Sequence, residues 1–433
     1  MAPTPMTATD DRSVTSRILR SGVTFAAMDL RSAAITRDAL LERRLDEIVP
    51  DLMSRHGFEA WVIDAREYNE DPVASTMLPA TWHETARRRT ILVFKSSGRE
   101  RGAISRYPVG PFPSVWSPSE QPDQWAALSS FLEGVDGTIG VNTSDVFGLA
   151  DGLSSTEHLS IAIALAEHHV ESAESLAIGW LETRLPEEAP FMAEACTISH
   201  QLLRRALSNE VIAPGQTTTE DVAWWLTQAA HDSGYRVWFH PGVTVQRQGD
   251  GSTTPADGIT DRTIEPGDLV HIDFGIVRNG YHTDQQQHAY VLKEGEQQPP
   301  PSMVAGLRQC NRLQDILMEN MTPGRSGNET LAATLTAARS EQIEAIVYTH
   351  PIGLHGHAAG ATIGLWDNQD AVGGAGDYPI AANTGWSIEL AVGFEVDEWG
   401  GQYARIMLEE DAFLTDEGIS FLDGRQEELW LID

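Results

Sequence analysis

Cysteine is almost missing from this chain of 433 residues: only Cys196 and Cys310 occur, both inside helix-like segments. Two thiols exclude a disulfide scaffold and a thiolate metal site, and they suit a reducing compartment. Positive charge is scarce too, with 30 Lys and Arg against 63 Asp and Glu and a formal net charge of −33. That imbalance argues against nucleic acid and anionic membranes as partners. No apolar run approaches the ~20 residues of a membrane span. The opening residues (MAPTPMTATDDRSVTSRILRSG) hold none long enough for a secretion signal. A cytoplasmic protein of two or three domains is the expectation.

What is present centres on the stretch from Asp268 to Leu292, read as two strands and a tight turn. Asn279-Gly280 is the dipeptide that a two-residue type I′ loop demands, because both positions need φ > 0. Pairing Arg278 with Tyr281 sets His271 opposite His288, Asp273 opposite Gln286 and Gly275 opposite Asp284. Side chains alternate faces, so His271, Asp273, His282, Asp284 and His288 point the same way. Asp273 and Asp284 become diagonal neighbours, with Cα atoms about 7–8 Å apart. Carboxylates that close repel unless a proton or cation lies between them. The flanking Leu269, Val270, Ile272 and Phe274 read as a buried strand, where unpaired carboxylates are costly. A metal ion is the natural resident.

Residues 1–33 read as a flexible N-terminal arm. From Thr36 the spacing of Leu40, Leu41, Leu45, Ile48 and Leu52 predicts a helix stopped at Gly57, with Pro50 kinking or dividing it. Strands are expected at 60–63, 90–94 and 137–141, helices near 124–133 and 157–168, and loop across 99–125. This describes a smaller α/β domain over 34–172. Beyond it, residues 173–433 contain a repeat. Pro214-Gly215 and Pro323-Gly324 each precede a capping box, Thr217 with Glu220 and Ser326 with Glu329. Each box starts an amphipathic helix, follows an earlier one (187–208 and 303–320) and leads into β-structure (268–292; 384–396 with 403–415). The expectation is two αα-ββ halves whose sheets face across a shared centre.

The second half offers carboxylates within apolar strands, Glu389 in Trp386–Leu390 and Glu409 in Arg405–Leu414. Between the halves lies a Gly/His turn from Thr349 to Gly360. Asp273-Phe274-Gly275 matches a kinase tripeptide, but no H-R-D loop or Gly-rich phosphate loop precedes it. The order D-x₁₀-D on a hairpin, Gly/His turn, I-E and E-E-D strand resembles the M24 metallopeptidase family of methionine aminopeptidase, aminopeptidase P and prolidase. The resemblance implies an α+β "pita-bread" catalytic domain and, for 34–172, the smaller α/β domain of aminopeptidase P and creatinase.

That resemblance further implies two divalent metal ions, manganese foremost, then iron, cobalt or zinc. Asp273, Asp284, His357, Glu389 and Glu409 would hold them, with Asp284 and Glu409 bridging. The activity implied is amide hydrolysis by an activated water, with an Xaa-Pro peptide as substrate and Glu389 shuttling the proton. Departures touch substrate handling. The family's second histidine, seven residues after the metal histidine, falls on Gly364, and another falls near Pro255 and Ala256. His355, then His350 and His288, are the expected catalytic replacements. A metal-dependent enzyme acting on a non-peptide small molecule is the alternative. The retained ligands argue against creatinase's metal-free route; a catalytically dead binding module, like the family's histone-chaperone relatives, is a further alternative that metal content would separate. Relatives with this N-terminal domain imply a homodimer or higher homo-oligomer, with Trp82, Trp116, Trp125 and Trp180 as candidate contact residues.

Overall fold

The computed structural model describes residues 29–81, 86–250 and 261–433. Most of the expected arm, Trp82, Pro255 and Ala256 lie outside them. The first helix, α1 (Leu30–His56), begins earlier than the apolar spacing indicated. Asp29 caps it by accepting the Arg31 N–H, a local signal independent of periodicity. Pro50 sits inside a single undivided helix, which ends at Gly57 with φ +76°.

Five strands follow in the N-terminal unit: β1 (Phe58–Arg66), β2 (Arg89–Lys95), β3 (Glu100–Ser105), β4 (Thr138–Val141) and β5 (Val170–Ser172). They form one sheet in the order β3-β2-β1-β4-β5. β3 occupies part of the expected loop, because cross-strand pairing with β2 overrides its weak local signal. Helices α2 (Gln124–Phe131) and α3 (Ser155–Ala164) cover one face. On the other face α1 packs with α4 (Glu174–Glu182), so Leu45, Leu52, Leu176 and Trp180 share a core with Trp61 and Phe94. Trp180 and Trp116 are therefore buried and not surface contact residues.

The C-terminal part holds α5 (Ala189–Ala206) and α6 (Thr219–Asp232), then β6 (Arg236–Val237), β7 (Gly242–Gln246) and β8 (Leu269–Phe274). After these come β9 (Ile276–Arg278), β10 (Tyr281–His282) and β11 (Gln285–Val291). The second half repeats the plan with α7 (Pro301–Asn320), α8 (Gly327–Ser340), β12 (Glu344–Val347), β13 (His350–Ile352), β14 (Thr384–Val396) and β15 (Gln402–Thr415). Ser326 and Glu329 form the expected capping box. Its counterpart lies one residue later than expected, on Thr218 and Asp221. Thr217 instead turns its hydroxyl inward to the Ala213 N–H and the Val211 carbonyl.

Alternation dictates which way each strand faces. Val270, Ile272 and Phe274 pack on α5 and α6 with Leu202, Val222 and Trp225. Trp386, Ile388, Leu390, Ile406 and Leu408 pack on α7 and α8 with Leu307, Leu313 and Leu331. The intervening residues, Asp273, Glu389 and Glu409 among them, are left on the opposite face. The two halves do not present separate sheets to each other. They join edge to edge through β11 and β15 in one nine-stranded sheet, with Gln286 paired to Glu409.

Behind the sheet, His200 of α5 ties the halves together. Its Nδ1 meets Asp423 and its Nε2 meets Glu410, each at 2.8 Å. Burial alone would lower its pKa, but the two carboxylates outweigh that and raise it to about 10. An unfolded histidine titrates near ~6.5, so this stabilisation is full below that value and fades as pH rises through about 10. The melting temperature is expected to fall by a few degrees across this window, and His200→Gln to flatten the fall. An unchanged slope in the variant would remove His200 from the account.

Candidate metal centre

The hairpin takes the register that its turn dictates. Arg278 pairs with Tyr281, Asp273 with Gln286 and His271 with His288. Asn279 and Gly280 have φ of +54° and +87°. Strand pairing lapses at Gly275, where a Cβ would stand 2.2 Å from both the Thr283 carbonyl and the Trp238 indole nitrogen. On the second half, β14 and β15 pair Glu389 with Glu409.

These registers gather one cluster. Ligand atoms of Asp273, Asp284 and Glu409 lie within 4.8 Å of one another, as do those of His350, Glu389 and Glu409 and those of Asp284, His350 and His357. His350 thus stands in two of the three groups. Its Nε2 lies 3.6 Å from Glu409 and 3.9 Å from both Asp284 and Glu389. Its Nδ1 lies 2.9 Å from the Pro351 carbonyl, which can only accept. The proton therefore belongs on Nδ1, and Nε2 presents its lone pair to the carboxylates, the tautomer of a metal-binding imidazole.

His357 meets the cluster at its solvent-exposed side, edge-on to His350 at 4.7 Å and to Trp238 at 5.3 Å. Gly364 has φ +74°, and a Cβ there would lie 2.1 Å from the Val347 carbonyl, so no histidine fits. With His350 as the origin, the seven-residue spacing ends on His357 instead.

Two other expected histidines stay outside. His288 is fully buried, with its Nε2 committed to the Met407 backbone at 3.0 Å and its ring against His271. His355 stacks on His282 at 6.5 Å and joins none of the three groups.

One neighbour, opposite Asp273 in the expected register, has no assigned role in the sequence but is bonded into the cluster. Gln286 Nε2 donates to Glu389 Oε1 (2.6 Å) and Glu409 Oε2 (2.8 Å), while its Oε1 lies 2.9 Å from His271 Nε2. Burial pushes the His271 pKa down to about 4, leaving a neutral ring that donates from Nε2. Ser387 donates to Glu409 at 2.5 Å, and the Asp411 carboxylate accepts the Asp284 N–H.

Electrostatics show what is lacking. Asp273, Asp284 and Glu389 are driven well above the ordinary carboxylate range, first by burial and then by the charge of Glu409. Among the described residues no Lys or Arg pairs with these four acids. Asp273 Oδ1, Asp284 Oδ1 and His350 Nε2 are buried with no hydrogen-bond partner. Buried acceptors without donors are costly, and a cation satisfies all of them at once. Carboxylate oxygens with imidazole nitrogen form a donor set for a divalent first-row ion.

The family model that matches is that of metallopeptidase family M24, over residues 190–416. No curated protein matches the sequence. Among solved structures the chain is similar to an X-Pro aminopeptidase from Thermotoga maritima, at 17% identity and a TM-score of 0.64, covering 88% of this chain and 99% of that one. It is similar to dipeptidase PepE from Mycobacterium ulcerans, at 21% identity and a TM-score of 0.63, covering 94% and 99%. The N-terminal domain of FACT complex subunit SPT16 from chickpea is also similar, at 10% identity and a TM-score of 0.57, covering 94% and 100%. At these identities the likeness establishes a shared fold.

Proposed function

This chain belongs to metallopeptidase family M24, and on that premise we propose a dinuclear metal-dependent exopeptidase that cleaves Xaa-Pro peptides. The observation that carries the reading is four carboxylates and an unpartnered imidazole nitrogen converging with no cation of their own. We assign Asp273, Asp284, His350, Glu389 and Glu409 as the ligands, with His350 in the place that the family resemblance implied for His357. Manganese is the first choice of ion.

Metal ions bound there would polarise a scissile carbonyl and make water a nucleophile at neutral pH. The protein's part is to hold donors and move protons. Glu389 is fixed through Oε1 by the Gln286 amide, which leaves Oε2, 3.9 Å from His350, to take a proton and pass it to the leaving nitrogen. His357, at the open side and braced by Trp238, is placed to donate to the developing oxyanion. Two unpaired buried cysteines suit a cytoplasmic enzyme, and a homodimer completes the proposal.

A panel of Xaa-Pro and non-proline peptides, run before and after chelation, tests this reading. Turnover of the proline peptides is expected to vanish on chelation and return with manganese. Full-speed hydrolysis by the metal-free protein would overturn it. The histidine-free stretch from Gly251 to Thr260 supports a second reading, a non-peptide amide substrate, which a panel negative for every peptide would favour.

A further inference from the structure

A cavity of about 470 Å³ opens between α1 and the β9–β10 turn, beside the metal cluster and not part of it. Its wall brings together Arg37, Arg236, Asn279, Tyr281, His282 and His355. Its volume lies in the range of small-molecule and peptide pockets.

The acids on this wall are already engaged. Asp38 accepts the Ala80 N–H, and Glu70 accepts those of Tyr68 and Ala86. Glu188 is held by Arg44, Arg184, Tyr281 and the Leu185 N–H. The guanidiniums of Arg37 and Arg236 have no carboxylate partner among the described residues, in a chain whose acids outnumber its bases by two to one. The Asn279 side-chain oxygen and His282 Nδ1 are buried there without hydrogen-bond partners. Two open guanidiniums on one cavity form a planar, multi-donor receptor for a carboxylate.

Position gives the cavity a purpose. His282 precedes Asp284 by two residues, a span of at most about 7 Å, and His355 precedes His357 by two. Trp238 joins the sites, its ring 5.9 Å from His282 and 5.3 Å from His357. A peptide carries an ammonium at one end and a carboxylate at the other; guanidiniums repel the first and pair with the second.

We propose that this cavity is a carboxylate subsite in which Arg37 and Arg236 hold an acidic group of the peptide two or more residues beyond the scissile bond. The proposal rests on the peptidase reading above and names its substrate class: short peptides with a free C-terminus or an acidic side chain at that distance.

The test uses the full-length, manganese-loaded protein and three peptides: Ala-Pro-Ala-Ala as free acid, the same peptide as C-terminal amide, and Ala-Pro-Ala-Glu as amide. The free acid is expected to exceed the amide in kcat/KM by about tenfold or more, through KM, equivalent to roughly 1.4 kcal/mol. In an Arg37→Gln/Arg236→Gln double variant that ratio should fall to about one, while Arg236→Lys, which keeps the charge, retains part of it. Recovery with the glutamyl amide assigns the subsite to side-chain carboxylates, and no recovery to C-termini; both support it. Equal use of free acid and amide by the wild type would overturn it, as would a preference that survives the double substitution. If no peptide is cleaved, the peptidase reading falls separately. Calorimetry with the same protein and peptides then decides the subsite by the same ratio.

Discussion

Asp284→Asn is expected to abolish turnover, lowering kcat by at least about 100-fold, the upper end of what losing a group behind a metal ligand costs. Bound metal, measured by elemental analysis, should fall with it. The same substitution should act in the opposite direction on the metal-free protein. Asp284 is buried among Asp273, Glu389 and Glu409; burial first, and then the charges of Glu409, Asp273 and Glu389, raise its pKa, and both costs fall on the ionised carboxylate when no cation is bound. An amide of the same shape removes one charge from that group and leaves the backbone bond to Asp411 in place. The chelated variant should therefore melt above the chelated wild type, by an amount equivalent to about 1 kcal/mol or more. An inactive variant that also melts lower would point to damaged packing. Retained activity would remove Asp284 from the mechanism.

The second large effect separates two histidines seven residues apart. His350→Ala is expected to reduce metal affinity and to cut kcat by about 100-fold or more, because its Nε2 faces three of the carboxylates. His357→Ala should keep its metal and lose rate, by about 10²-fold if its role is donation to an oxyanion. Calorimetric titration of each metal-free variant with manganese reads affinity apart from rate. The reverse pattern, with His357→Ala losing metal and His350→Ala retaining it, would restore His357 as the ligand.

The contrast marks how far the sequence could be read. The hairpin register was legible to the residue, because Asn279-Gly280 admits one turn type and the turn sets Arg278 with Tyr281, Asp273 with Gln286 and His271 with His288, although the expected pair of Gly275 with Asp284 does not form. The long strands over 384–396 and 403–415 were legible because buried apolar residues alternate with Glu389 and Glu409. The Gly/His turn has no such period. β13 is three residues long and owes its place to pairing with β14, His350 against Ser387, a contact that spacing cannot report. Counting the seven residues from His357 ends on Gly364, whereas counting from His350, the ligand proposed above, ends on His357. The start of α1 was missed because a capping aspartate outweighed the apolar spacing. β3 was missed because a partner strand stabilises what Gly and Ser residues obscure.

The β11–β15 contact carries a last consequence. Gln286 and Glu409 lie 123 residues apart in sequence and meet where the two halves of the sheet join. Of the proposed ligands, Asp273 and Asp284 belong to one half, and His350, Glu389 and Glu409 to the other. Ions held by these five residues would act as a staple across the 66 positions that separate Asp284 from His350, favouring the folded chain by mass action. Catalytic competence and the mechanical union of the two lobes would then depend on the same few bonds.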